Sequence, residues 1–168
     1  GVGMVYCLGT RIDMNVEPYE IRDYYTSEYF KENVTFKDLL EFDLIGSTSQ
    51  AMVRKTCFNV CGGFDEKLPA RQDYEMWLRI SKKYQIKGVQ EKLFNHIMHG
   101  EEQISKSSKR SLNGYIRVYK LYREDYKTNS VAKETMLQWI VKAAREVNML
   151  YYIYYRTLLQ LHRLKNRK

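Results

Sequence analysis

Residues 62–80 read GGFDEKLPARQDYEMWLRI, and the rest of the chain can be read outward from them. The glycine pair can stop a helix over residues 54–60, because glycine enters the left-handed backbone that ends helices at little steric cost. Asp73 then precedes a segment in which Tyr74, Trp77, Leu78 and Ser81 recur at helical spacing, which predicts an amphipathic helix to about residue 83. A strand-to-helix connection thus carries a glycine turn, several acidic side chains and a tryptophan, with a carboxylate where the helix begins.

Upstream, residues 44–53 (LIGSTSQAMV) have the small and apolar side chains of a strand. Thr35 with Asp38 three residues later fits a capping box for a short helix over 36–41. Residues 10–33 are polar and tyrosine-rich around Pro18 and are expected to be a long irregular excursion. Residues 2–8 are almost wholly apolar, as a strand covered on both faces would be, and this places the chain in the α/β class. The chain opens GVGMVYC inside that strand, so further sequence is expected to precede it in the parent protein.

Downstream, residues 85–89 and 92–98 predict two more short strands, with the sheet region ending near residue 105. Beyond it there is helical periodicity. Leu112, Tyr115, Ile116, Tyr119 and Tyr122 form one stripe. Met136, Ile140, Ala143, Val147, Leu150, Tyr154, Leu158 and Leu161 alternate steps of three and four, predicting a helix along a narrow seam.

The 168 residues suffice for one core with an appendage. A formal charge of +8, from 28 Lys and Arg against 20 Asp and Glu, favours anionic partners: phosphates, nucleic acid or a lipid surface. Three cysteines make no even disulfide framework, which points to a reducing cytoplasm. Cys57 and Cys61 stand four apart, but a zinc site usually needs four ligands and nothing nearby completes the set. No run reaches the roughly 18 apolar residues of a spanning helix.

The GGFDE, LPA, acid-pair and WLR order of residues 62–80 resembles family two of the glycosyltransferases, inverting enzymes of GT-A fold that transfer sugars from nucleotide diphosphates. The resemblance extends over about residues 3–105, where VGMVYC is similar to a core strand and IGSTSQAMVRK to the acceptor-side strand. It implies a bacterial enzyme of cell-surface polysaccharide synthesis with a partial GT-A, Rossmann-like sheet over residues 1–105 and a C-terminal helical extension over 106–168. No Asp-x-Asp stands in the sequence, so the resemblance implies the acceptor-side portion without the donor-binding half, inactive when alone.

An inverting transfer needs a base to take the proton from the attacking hydroxyl, and a positioned carboxylate suits that task. The resemblance assigns it to Asp73; the rival reading is an ordinary N-cap aspartate. Gln72 stands in the first position of the acid pair, at the substrate, with an amide for the usual carboxylate. Gly46, Ser47 and Thr48 line the sugar or acceptor pocket in the same resemblance, and His99 helps to hold Mn²⁺ or Mg²⁺ near the diphosphate, a role open to neutral imidazole. Ile97 departs from the arginine often found there. Asp65, Glu66 and Trp77 read as structural.

The expected partners are a nucleotide-sugar donor and a glycan or lipid-linked acceptor. The basic, aromatic tail, YYIYYRTLLQLHRLKNRK, adds peripheral contact with the inner face of the membrane or self-association. The rival class is a basic helical binding module for membrane, nucleic acid or a second copy, although nucleic acid is not the expected partner.

Overall fold

The computed structural model describes residues 1–24, 29–98 and 107–166. The chain divides into two compact units, one from residues 1–39, 43–64 and 76–102, the other from 40–42, 65–75 and 103–168.

The first unit is built on a mixed five-stranded sheet. Its axis is β1 (Val2–Asp13), where Met4, Tyr6 and Leu8 are buried. β1 pairs antiparallel with β2 (Glu20–Asp23) near its end and with β4 (Ala51–Val53) near its start. Along its other edge it runs parallel to β5 (Gln85–Met98), from Val2 opposite Gln85 to Asp13 opposite Met98, and β3 (Asn33–Val34) adds antiparallel to β5. Strands therefore enter the stretch expected to be irregular, because ladder bonds on both edges hold the polar residues 10–13 extended without any apolar pattern of their own.

β5 is one strand where two were expected. The gap between them is a pair of irregularities: Cys7 faces Val89 but Leu8 faces Lys92, and Gly9 faces Phe94. The surplus residues bulge from the ladder while the strand continues. A Cβ at Gly9 would fall 2.0 Å from the Phe94 ring, so a larger residue there would require the ring to move.

The capping box forms as predicted around α1 (Phe36–Glu41): Thr35 N–H donates to Asp38 Oδ2 at 2.9 Å and Asp38 N–H to Thr35 Oγ1 at 3.2 Å. Residues 44–53, expected to be strand throughout, are strand only over β4. Gly46 takes a φ of 75°, and Ser47 caps a 3-10 turn, Thr48–Gln50, by accepting from Ser49 N–H. Short hydroxyl side chains that bond to nearby backbone compete with a ladder in this way.

α2 (Lys55–Cys61) ends at Gly62, whose φ is 80°. Its last carbonyls are met from elsewhere in the unit. Arg79 of α3 (Gln72–Ser81) donates to Cys61 O and, at 2.8 Å, to Gly63 O. The GG and WLR parts of the 62–80 stretch are thereby joined, an arginine satisfying groups that every helix end leaves open. Cys57 is buried, with its thiol bonded to Gly3 O at 3.3 Å. Trp77 is 2 % exposed, a core residue as its helical position suggested.

The second unit is helical: α4 (Ser108–Leu121), α5 (Arg123–Thr128), α6 (Ser130–Val147) and α7 (Met149–Lys165). The long seam is not carried by one helix. Asn148 leaves the helical conformation at φ −155° and ψ 112°, and its side chain accepts from Tyr151 N–H to cap a new helix. α7 folds back along α6, with His162 bonded to Ser130 O at 2.9 Å and Arg163 to Glu134 at 2.8 Å. Met136 and Ile140 remain buried, but Leu150, Tyr154 and Leu161 of the predicted stripe are exposed, and Tyr155, Leu159 and His162 form the covered face instead. An asparagine that offers a ready cap outweighs the continuity of the apolar pattern.

Candidate active site

Within the second unit, residues 65–75 lead into α3. Asp65 ties the turn: its carboxylate accepts from Lys67 N–H at 2.9 Å, and its carbonyl from Leu68 N–H at 3.0 Å. Arg117 of α4 reaches the same carboxylate through Nε at 3.0 Å and an NH2 nitrogen at 2.8 Å. The hydrogen bonds from Arg117 hold the Asp65 pKa below the usual carboxylate value. Asp65 is therefore structural in this arrangement.

Asp73 is not an N-cap. The first backbone bond of α3 runs from Glu75 N–H to Arg71 O at 3.0 Å, which makes Arg71 the capping position and puts Asp73 in the first helical turn. There a negative charge is favoured by the helix dipole. The side chain is half-buried; Oδ1 accepts from Tyr74 N–H at 2.9 Å, and Oδ2 has no hydrogen-bond partner among the described residues. One carboxylate oxygen is thus anchored and the other is available to take a proton. Gln72, beside it, donates through Nε2 to Leu68 O at 2.8 Å, which fixes its side chain against the turn.

Arg71 holds the least expected backbone. Its φ of 68° makes it the one non-glycine at positive φ among the described residues. For an L-residue this conformation costs roughly 1–2 kcal/mol. Gly114 of α4 lies against the preceding carbonyl so closely that a Cβ would meet Ala70 O at 2.5 Å. The guanidinium carbon of Arg71 sits 4.4 Å from the centre of the Tyr115 ring, and its Nε is buried with no partner among the described residues.

This guanidinium borders a cavity of about 310 Å³ between α4 and α6, lined also by Ser108, Ser111, Tyr115, Trp139, Lys142, Ala143 and Glu146. Asp73 is not in the lining, but two residues of chain separate it from Arg71, a span of at most about 7.6 Å. From the sequence, Tyr115 and Ala143 read as members of helical stripes, and the other lining residues have no assigned role. The available signal was the spacing: Ser108, Ser111 and Tyr115 fall three and four apart on α4, as do Trp139, Lys142 and Glu146 on α6.

Gly46, Ser47 and Thr48 belong to the first unit, at the 3-10 turn described above. His99 lies outside the described residues. Among the described residues no group of three or more His, Cys, Asp or Glu side chains could hold a metal ion.

The glycine stop, the acid-bearing helix start and the arginine-capped turn fall inside a match to a known family. The profile described as Glycosyltransferase like family 2 matches residues 5–139. The chain belongs to that family, and its α/β fold of mixed sheet and helices is consistent with the GT-A type. Membership supports glycosyl transfer with a nucleotide-sugar donor and an acceptor, in a family whose enzymes generally use divalent metals. No curated protein matches the chain.

Proposed function

We propose that this chain carries the catalytic base and acceptor side of an inverting glycosyltransferase of bacterial surface-polysaccharide synthesis, with Asp73 as the base. The acceptor hydroxyl loses its proton to Asp73 as its oxygen bonds to the anomeric carbon. The bond from that carbon to the diphosphate oxygen breaks, and the nucleoside diphosphate leaves with the electron pair. The observation that carries the reading is the Asp73 carboxylate: it lies in the first turn of α3, inside the family's matched span, with Oδ2 uncommitted among the described residues.

Gly46, Ser47, Thr48 and Gln72 are the substrate contacts in this reading, and His99 the metal ligand. No Asp-x-Asp is present to hold a nucleoside diphosphate through Mn²⁺ or Mg²⁺, so the chain alone is short of donor-binding groups and inactive. In the complete transferase, Asp73→Asn should lower turnover about 10²-fold or more, as losing a general base does. Near-normal turnover in a folded variant ends the assignment.

The acceptor in this reading is a glycan or a lipid-linked sugar, and the enzyme works at the cytoplasmic face of the membrane. No helix among the described residues is long and apolar enough to cross a membrane. α7 supports surface contact or self-association: Leu150, Ile153, Tyr154, Leu161 and Leu164 are exposed beside Arg156, Arg163 and Lys165. An apolar face with basic flanks suits an anionic lipid surface.

A further inference from the structure

The cavity between α4 and α6 has two chemical halves. One is an aromatic wall: the Tyr115 and Trp139 rings lie 5.5 Å apart at 33° to each other. The other is ionic. Arg71 brings a buried Nε with no partner among the described residues, and Lys142 has no ion pair or hydrogen bond among them. A buried donor without an acceptor is uncommon enough in a folded protein to ask for one. On the same lining, Ser108 Oγ donates to Glu146, so a hydroxyl and a carboxylate stand side by side.

The two cations exceed the single carboxylate, so the cavity favours an anion. A guanidinium fork matches the oxygens of phosphate or carboxylate, and a lysine adds a point charge. The Arg71 guanidinium already covers the Tyr115 ring at 4.4 Å, so the half-buried Trp139 is the ring that offers apolar surface to a ligand; a bare anion would make no use of it, and a neutral sugar would leave the buried Arg71 Nε without an acceptor. A ligand with both parts answers both needs: the C–H face of a pyranose chair against Trp139, hydroxyls toward Glu146, and an oxyanion between Arg71 and Lys142. The volume of about 310 Å³ stands at the small end of ligand pockets, the scale of one sugar residue.

Arg71 is also set in place before any ligand arrives. Its positive φ and the contact of Gly114 with the Ala70 carbonyl fix where its side chain leaves the backbone. Strain retained at one side chain of a cavity is a common mark of a functional position.

We propose that this cavity binds a sugar carrying an oxyanion, either phosphate or carboxylate, and that this sugar belongs to the acceptor. Only the word acceptor rests on the transferase reading; the binding requires no transfer. Asp73 follows Arg71 by two residues, so its Cα lies within about 7.6 Å of that of the residue that would anchor the anion.

The test is calorimetry and tryptophan fluorescence on the full chain, with α-D-glucose 1-phosphate, D-glucuronate, methyl glucoside and inorganic phosphate as probes. Trp139 lines the cavity and one other tryptophan, Trp77, is buried in the first unit, so a bound ring changes the emission. At least one anionic sugar should bind about tenfold or more tightly than methyl glucoside, the effect of one charged hydrogen bond, and about tenfold or more tightly than inorganic phosphate, the effect of burying the sugar's C–H face. The tighter of the two anionic sugars tells phosphate from carboxylate.

Lys142→Met changes an exposed side chain and should keep the fold while weakening that binding about tenfold; Arg71→Gln should do the same or more. No binding by any probe overturns the proposal, as does equal affinity for methyl glucoside, equal affinity for inorganic phosphate, or unchanged affinity in a folded Lys142→Met. If anionic sugar binds as expected but Asp73→Asn leaves transfer intact in the complete enzyme, the base assignment falls and the site stands. If Asp73→Asn abolishes transfer and the probes fail to bind, the site falls and the base stands.

Discussion

Gly114→Ala sets two known effects against each other. Alanine in a helix interior is favoured over glycine by about 1 kcal/mol. On that ground alone the variant should be more stable. The structure puts the new Cβ 2.5 Å from Ala70 O, 3.0 Å from Ala70 C and 3.3 Å from Arg71 Cγ. A carbon and a carbonyl oxygen come to rest at about 3.3–3.6 Å, so the overlap is close to 1 Å. The obstacle is backbone, which cannot rotate aside as a side chain can. Overpacking of this kind costs typically about 1–3 kcal/mol, and the upper half of that range is expected for a rigid neighbour.

After the helix gain is subtracted, a net loss of about 1–2 kcal/mol remains, or a melting temperature lower by about 2–8 °C in a protein of this size. Circular dichroism melts of the parent, Gly114→Ala and the exposed neighbour Asn113→Ala would measure it. The neighbour should stay within about 0.5 kcal/mol of the parent. A Gly114→Ala variant that melts at or above the parent would refute the claim that α4 and the 70–71 backbone are in forced contact.

Three further outcomes follow from the same structure. Asp65 has its pKa lowered by Arg117, so its contribution is present above the unfolded value near 3.9 and is lost as pH falls through the folded pKa. Asp65→Asn should therefore melt below the parent at pH 7 by less than about 1 kcal/mol, because the pair is partly exposed, with the gap closing toward pH 3; a gap independent of pH removes the electrostatic account. Arg79→Met leaves Cys61 O and Gly63 O to solvent and should cost about 1 kcal/mol, with faster amide exchange across α2; unchanged exchange there would show that Arg79 does not hold the end of that helix. Calorimetry of the chain with UDP and GDP sugars plus Mn²⁺ should show no micromolar binding, and tight donor binding by a monomer would overturn the proposal that the donor half is absent.

The parts of the fold legible in sequence were those decided by neighbours in the chain. Thr35 and Asp38 are a three-residue device, Gly62 ends α2 by its own backbone, and the spacing of Tyr74, Trp77 and Leu78 suffices for α3. What escaped depends on distant residues. β5 stays continuous because β1 holds it through two bulges, β1 itself runs on to Asp13 because β2 pairs with its end, and the turn at Ser47 displaces strand by bonding to its own backbone. The apolar stripe from Met136 to Leu161 is periodic in sequence, yet Asn148 offers a local cap and α7 turns a different face inward.

The candidate site divides in the same way. Asp73 could be singled out because its segment resembles a family, whereas its place in the first turn of α3 became visible only with Arg71 in the capping position. Nothing in a sequence marks an arginine for positive φ; the position is seen only with the 68–72 turn packed against Gly114. Lys142 and Glu146 look like the solvated side of a helix until α4 is placed across from them.

The parallel pairing of β1 with β5 also bears on how the chain reaches its fold. Val2 meets Gln85, and every later pair in that ladder joins residues more than eighty positions apart. Closing so long a loop costs entropy before any ladder bond repays it, and domains rich in such pairings fold slowly. α6 and α7 need only their sequence neighbours to form a hairpin. Folding of this chain should therefore be biphasic, with helical signal rising early and the sheet lagging: the end of β1 finds β2 close by in the chain, but its apolar start must wait for β4 and β5, more than forty positions away. An apolar strand in that position is where a growing chain is most exposed to capture by another copy, so refolding yield should fall with protein concentration well before final stability does.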